Sequence, residues 1–210
     1  MPIARGCKRV AASTSDMPES SAGIHLPAFI AYKFFNSIFL GLSVGAVFVL
    51  YAPISPEIFS AGGVGLAIAT LLVATQYSRI LNRRWFFALS LLVECVALSG
   101  VIGVLLFPLA LPLALFVYVG YQIAFAFGNY LVRCETLLIP EQRSLTQLDV
   151  AKQSGYLLGM AFAAVFYHVV SGNGLTEHID QVRQLHWVLA ANEVVVIALL
   201  LRAFSIKPND

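Results

Sequence analysis

Two carboxylates stand inside long apolar runs. Glu94 follows Arg84 by ten residues, and Glu193 lies ten after Arg183 and nine before Arg202. On a helix rising ~1.5 Å per residue, each sits about 15 Å from a charged end, near the middle of a ~30 Å hydrocarbon core. An ionised group at that depth costs about 2.5–3.5 kcal/mol on insertion scales. Such a carboxyl takes up a proton or binds a cation, which makes Glu94 and Glu193 proton-coupling candidates. In its blander role it is a protonated group that hydrogen-bonds a neighbouring helix.

A polar stripe makes the second candidate. Tyr118, Gln122, Asn129 and Arg133 are spaced by 4, 7 and 4 residues, which keeps them on one helical face. Tyr121 and Tyr130 flank them. In lipid that face would leave amides and phenols unpaired, so it is expected to look onto a bundle interior or a wet cavity. Asn36 and Ser43, seven apart, are expected to line the same space. The alternative is helix–helix hydrogen bonding, worth about 0.6 kcal/mol per contact.

Other chemistry finds little support. The chain holds no nucleophile elbow, HExxH, Walker loop or dinucleotide fingerprint, so no enzymatic activity and no cofactor are expected. Cys7, Cys95 and Cys134 lie far apart, without metal-ligand or disulfide spacing. His168 ends an apolar run, while His178 and His186 are placed in an outer loop with Glu177 and Asp180. None of these pairs has zinc spacing, so no metal site is expected.

The elements that must position these residues follow from composition. The 210 residues are 59% hydrophobic and 11% charged, with mean hydropathy +0.83. Soluble domains carry roughly 25% charged residues, so the lipid bilayer is the expected solvent and nucleic acid is not an expected partner. Six apolar runs can each span it: about Phe34–Tyr51, Ile58–Ile80, Trp85–Phe107, Leu113–Val132, Gln153–Val170 and Leu185–Leu201. With the amino terminus inside, every Lys and Arg except Arg183 falls on the cytoplasmic side, as the positive-inside rule requires. The expectation is an all-α membrane protein with six transmembrane helices and both termini cytoplasmic. Residues 1–27 read as a flexible cytoplasmic tail without a secretory signal, 28–203 as the membrane domain and 204–210 as a short cytoplasmic tail. A bacterial inner membrane is the expected location.

Small residues at helical spacing supply packing grooves: Ser37, Gly41 and Gly45 on the first run, Gly63 and Ala67 on the second, Gly155, Gly159 and Ala163 on the fifth. A three-plus-three arrangement of inverted halves is compatible with the run order.

Six spans with cytoplasmic termini resemble one half of a major facilitator superfamily transporter. The segment Tyr77-Ser-Arg-Ile-Leu-Asn-Arg-Arg84 is similar to that family's Gly-x-x-x-Asp-Arg-x-Gly-Arg-Arg loop, which makes Arg79, Arg83 and Arg84 candidates for gating. Aligned on Arg83 and Arg84, the family's Asp falls at Arg79, its first Gly at Thr75 and its loop Gly at Asn82, so the charge relay built on that Asp is absent or rebuilt. Asn129-Tyr-Leu-Val-Arg-Cys-Glu135, followed by Pro140-Glu-Gln-Arg143, resembles the exit of the family's fourth helix. The resemblance implies a half-size secondary carrier, moving a small solute by alternating access as a dimer. The competing expectation is a non-transporting membrane subunit, or an assembly or docking factor of a larger complex. In both, a second copy or another membrane subunit completes the half.

Overall fold

The computed structural model describes residues 23–205. Most of the two expected tails, with Arg5, Cys7, Lys8, Arg9 and Lys207, lies outside the described residues. Seven helices follow one another: α1 (Leu26–Leu50), α2 (Pro56–Thr75), α3 (Tyr77–Ile80), α4 (Arg83–Leu106), α5 (Leu111–Leu138), α6 (Gln142–Gly172) and α7 (His178–Phe204). All but the four-residue α3 are long and apolar enough to cross a membrane, at 20 to 31 residues each. The protein is an all-helical integral membrane protein, and no strand occurs among the described residues.

Local chemistry starts and stops these helices. The His25 ring accepts the Ala28 amide at 3.2 Å ahead of α1, and the Asn82 side chain accepts the Trp85 amide at 3.1 Å ahead of α4. Pro27, Pro56 and Pro112 occupy the first helical positions of α1, α2 and α5, where a missing N–H costs nothing. Gly174, at φ +92°, closes the turn after α6.

Five spans differ from their expected bounds, α5 running on to Leu138 rather than Val132 and α7 beginning at His178 rather than Leu185. α1 begins at Leu26 rather than Phe34, because Lys33 is buried inside the bundle instead of ending the run in water. α6 begins at Gln142 rather than Gln153, since its polar first turns continue one unbroken helix. α2 stops at Thr75 and the chain breaks at Gln76, so the expected run to Ile80 is two helices.

Helix α1 is the hub. It packs along α6 and α7, α5 packs against α2 and α4, and α4 packs against α7. Exchanging the first three spans for the last three (α1 for α5, α2 for α6, α4 for α7) turns α1–α6 into α5–α2 and α1–α7 into α5–α4 and leaves α4–α7 as it is, while a smaller α6–α7 contact has no equal in the other half. The two ends of the described chain meet, with the His25 amide donating to the Ala203 carbonyl at 2.9 Å. Phe29, Tyr32, Phe86, Tyr130 and Leu200 fill the core near that end; Ala46, Leu50, Val104 and Val117 fill it at the opposite end.

The α1–α6 seam is built on glycine. A Cβ at Gly41 would strike the Tyr156 carbonyl and lie 2.8 Å from the Met160 amide. One at Gly155 or Gly159 would strike the carbonyl of Phe34 or of Ile38, and one at Gly45 would lie 3.1 Å from the Tyr167 ring. By contrast, α2 buries none of its residues, and a Cβ at Gly63 would meet nothing within 4 Å.

Candidate functional site

Near the middle of the bundle α1, α4 and α7 bring together a polar cluster. Glu94, on α4, is 2% exposed and Glu193, on α7, is fully buried. Two α1 side chains one turn apart reach Glu94. The Tyr32 hydroxyl donates to its Oε1 at 2.6 Å, and the Asn36 amide donates to both oxygens at 3.0 and 3.1 Å. Glu193 faces the Glu94 carboxyl, yet neither of its oxygens has a hydrogen bond of ordinary geometry among the described residues. Asn36 therefore serves the carboxyl pair, and the two proton-coupling candidates form one site.

A second set of charges adjoins the first. Glu135 of α5, 3% exposed, pairs with Lys33 of α1 and with Lys152 of α6. The Lys33 ammonium also stands over three aromatic rings, 5.0 Å from the Tyr32 ring centroid, 5.7 Å from Phe29 and 5.8 Å from Phe86. Such ring faces attract a desolvated cation. Tyr32 thus joins the two sets, its ring under Lys33 and its hydroxyl on Glu94. Lys33 and Lys152 are not the loop cations that charge placement implied; both lie within spans. The signal in the sequence was Lys33 itself, a single cation inside an apolar run from Leu26 to Leu42.

The stripe on α5 divides. Tyr118 is buried against α2, where it donates to the Phe59 carbonyl at 3.2 Å and its ring meets Tyr51 and Phe59 edge-on. Gln122 is half-buried with its carbonyl oxygen unpartnered among the described residues. Asn129 and Arg133 are exposed on the outside of the bundle. A cavity of about 150 Å³ does lie between α1, α4, α5 and α7, and Ser43, Tyr121, His186 and Leu189 are among its lining residues. Of the expected cavity residues, Ser43 alone lines it. His186, expected in the outer loop, sits in α7, 4% exposed, with a ring nitrogen 2.7 Å from the Val182 carbonyl.

The basic segment before α4 is also unequal. Arg83 donates to the carbonyls of Gly23 at 3.0 Å and Phe204 at 3.1 Å, and packs over the Phe204 ring. It ties together the start of α4 and both ends of the described chain. Arg79 and Arg84 are exposed.

Comparison with known proteins finds no matching family model, no matching curated protein and no matching solved structure.

Proposed function

We propose that this chain is half of a secondary solute carrier, completed in the membrane by a second copy, with a small solute crossing between the halves. The observation that carries the reading is Asn129. It projects outside the bundle one turn before the exposed Arg133, so an amide and a cation share an outward face of α5. Gln122, seven residues earlier on the same face, has an unpartnered carbonyl oxygen. A second copy, or water held between two copies, would satisfy Asn129, whereas the Gln122 oxygen is buried within the single chain. The helix pairings support the reading, since a unit built of two exchangeable triple-helix halves is the common plan of carriers that rock around a central site. In this reading both termini are cytoplasmic, the membrane is the bacterial inner membrane, and Glu94 with Glu193 couples protons to transport.

The non-transporting subunit has one observation in its favour: the cavity within a single chain is small and excludes Gln122, Asn129 and Arg133. One experiment separates the two readings. The protein is extracted gently, its mass is measured, and its melting temperature is followed across a solute panel. A two-chain particle stabilised by a solute is the expected result. Co-purification with a larger complex, and no response to any solute, would replace the carrier with the subunit.

A further inference from the structure

The buried ionic groups form one connected set. Lys33 and Lys152 bring two positive charges around Glu135; Asp149, 73% exposed, stands 3.7 Å from Lys152 at the surface and lies outside the buried set, in which the single negative charge of Glu135 leaves one positive in excess. That excess lies toward Glu94, across the Tyr32 ring. If Glu94 and Glu193 were both ionised, the set would carry a net negative charge inside the membrane, with two carboxylates facing each other in a dry interior. Either condition is expensive, and a single proton removes both.

We infer that Glu94 and Glu193 together bind one proton, held on Glu193 and facing Glu94, and that Lys33 sets the number at one. The hydrogen bonds assign the two roles. Three donor contacts, from Tyr32 and Asn36, converge on Glu94, which suits a carboxylate. Glu193 receives none while fully buried, which suits a neutral acid whose own O–H points at Glu94. The charged and titratable groups around the pair are Tyr32 and Lys33 on α1, Tyr121 and Glu135 on α5, Lys152 with its exposed partner Asp149 on α6, and His186 on α7 itself.

The cavity comes within one turn of the pair along α7, though neither carboxyl lines it. His186, Leu189 and Glu193 are spaced by three and four residues on one face of α7, and the first two line the cavity. The cavity, of about 150 Å³, is lined mainly by apolar side chains, with Ser43, Ser99, Tyr121 and His186 as its polar ones. Loading moves a proton from water onto a Glu193 carboxyl oxygen, and unloading reverses the step.

The inference rests on the reading of these two carboxyls as a proton site, but it requires neither a second copy nor a solute. Infrared difference spectra of the full chain in lipid nanodiscs test it directly, by counting protonated carboxyl groups from their C=O stretch as pH is stepped. At neutral pH the wild type shows one such group per chain, lost at high pH. Glu193→Gln abolishes it, because Glu94 alone then balances the excess lysine. Lys33→Gln doubles it, because the pair must then bind two protons. No protonated carboxyl in the wild type, or its loss when sodium chloride replaces choline chloride, overturns the inference, the latter in favour of a metal cation. A Lys33→Gln signal equal to the wild type overturns the role of Lys33; if that variant does not fold, the wild-type and Glu193→Gln spectra decide the proton itself. Spectra that obey these expectations, with no solute response in any assay, would retain the proton site and remove the carrier.

Discussion

The seam between α1 and α6 and the seam between α5 and α2 are equivalents under exchange of the two halves, yet they are built differently. Gly41, Gly155 and Gly159 let α1 and α6 touch backbone to backbone over several turns. Helix α2 meets α5 mainly through an aromatic cluster, Tyr51, Phe59 and Tyr118, and buries no residue of its own. In lipid, where apolar burial between helices drives little, close backbone approach is what holds a pair. The α1–α6 pair is therefore a fixed frame, whereas α2 touches the bundle through Phe59 on Tyr118 and through Val73 on the core that holds Tyr130. The Lys33–Glu135–Lys152 cluster ties α5 to the frame, since Glu135 belongs to α5 and the two lysines to α1 and α6.

Four substitutions probe this contrast, in descending order of effect. Gly159→Leu forces a side chain into the Ile38 carbonyl and should cost about 4 kcal/mol or more, so that little folded protein is recovered. Near-normal yield and melting temperature would break the claim that α1 and α6 are locked. Glu135→Gln leaves two lysines without their shared carboxylate and should cost about 3 kcal/mol, measured by reversible unfolding in detergent. Adding Lys33→Met should recover part of that loss, whereas purely additive losses would show that the charges act separately. Tyr118→Phe removes one hydrogen bond at the α2 attachment and should cost about 0.6 kcal/mol, with faster hydrogen exchange confined to α2. Gly63→Leu points into open space and should change stability by less than about 0.5 kcal/mol. A large loss there would mean that another chain covers α2.

The six spans were legible because lipid demands long apolar runs, and composition records that demand plainly. Span ends were less so. At Lys33 and at Gln142–Lys152 a charged or polar residue was read as meeting water, whereas the structure gives Lys33 a buried carboxylate and continues α6 as helix. Hydropathy cannot distinguish a paired buried lysine from a loop lysine, because the partner, Glu135, is about a hundred residues away in sequence. Glu94 and Glu193 were each legible as deep carboxyls, but their meeting was not, since helical periodicity orders one helix and says nothing of which faces join. The α5 stripe shows the same limit. Tyr118 shares a face with Asn129 in projection, but α2 buries Tyr118 and leaves Asn129 exposed.

The claim that a second copy faces Asn129 has a direct test. With Cys7, Cys95 and Cys134 replaced by Ser, Asn129→Cys and Val64→Cys are each treated in native membranes with a short thiol crosslinker. Asn129→Cys should yield a two-chain product of twice 22.8 kDa, while Val64→Cys, exposed on α2, should stay a single chain. Single chains from both would contradict the account and leave Asn129 facing something other than its own kind.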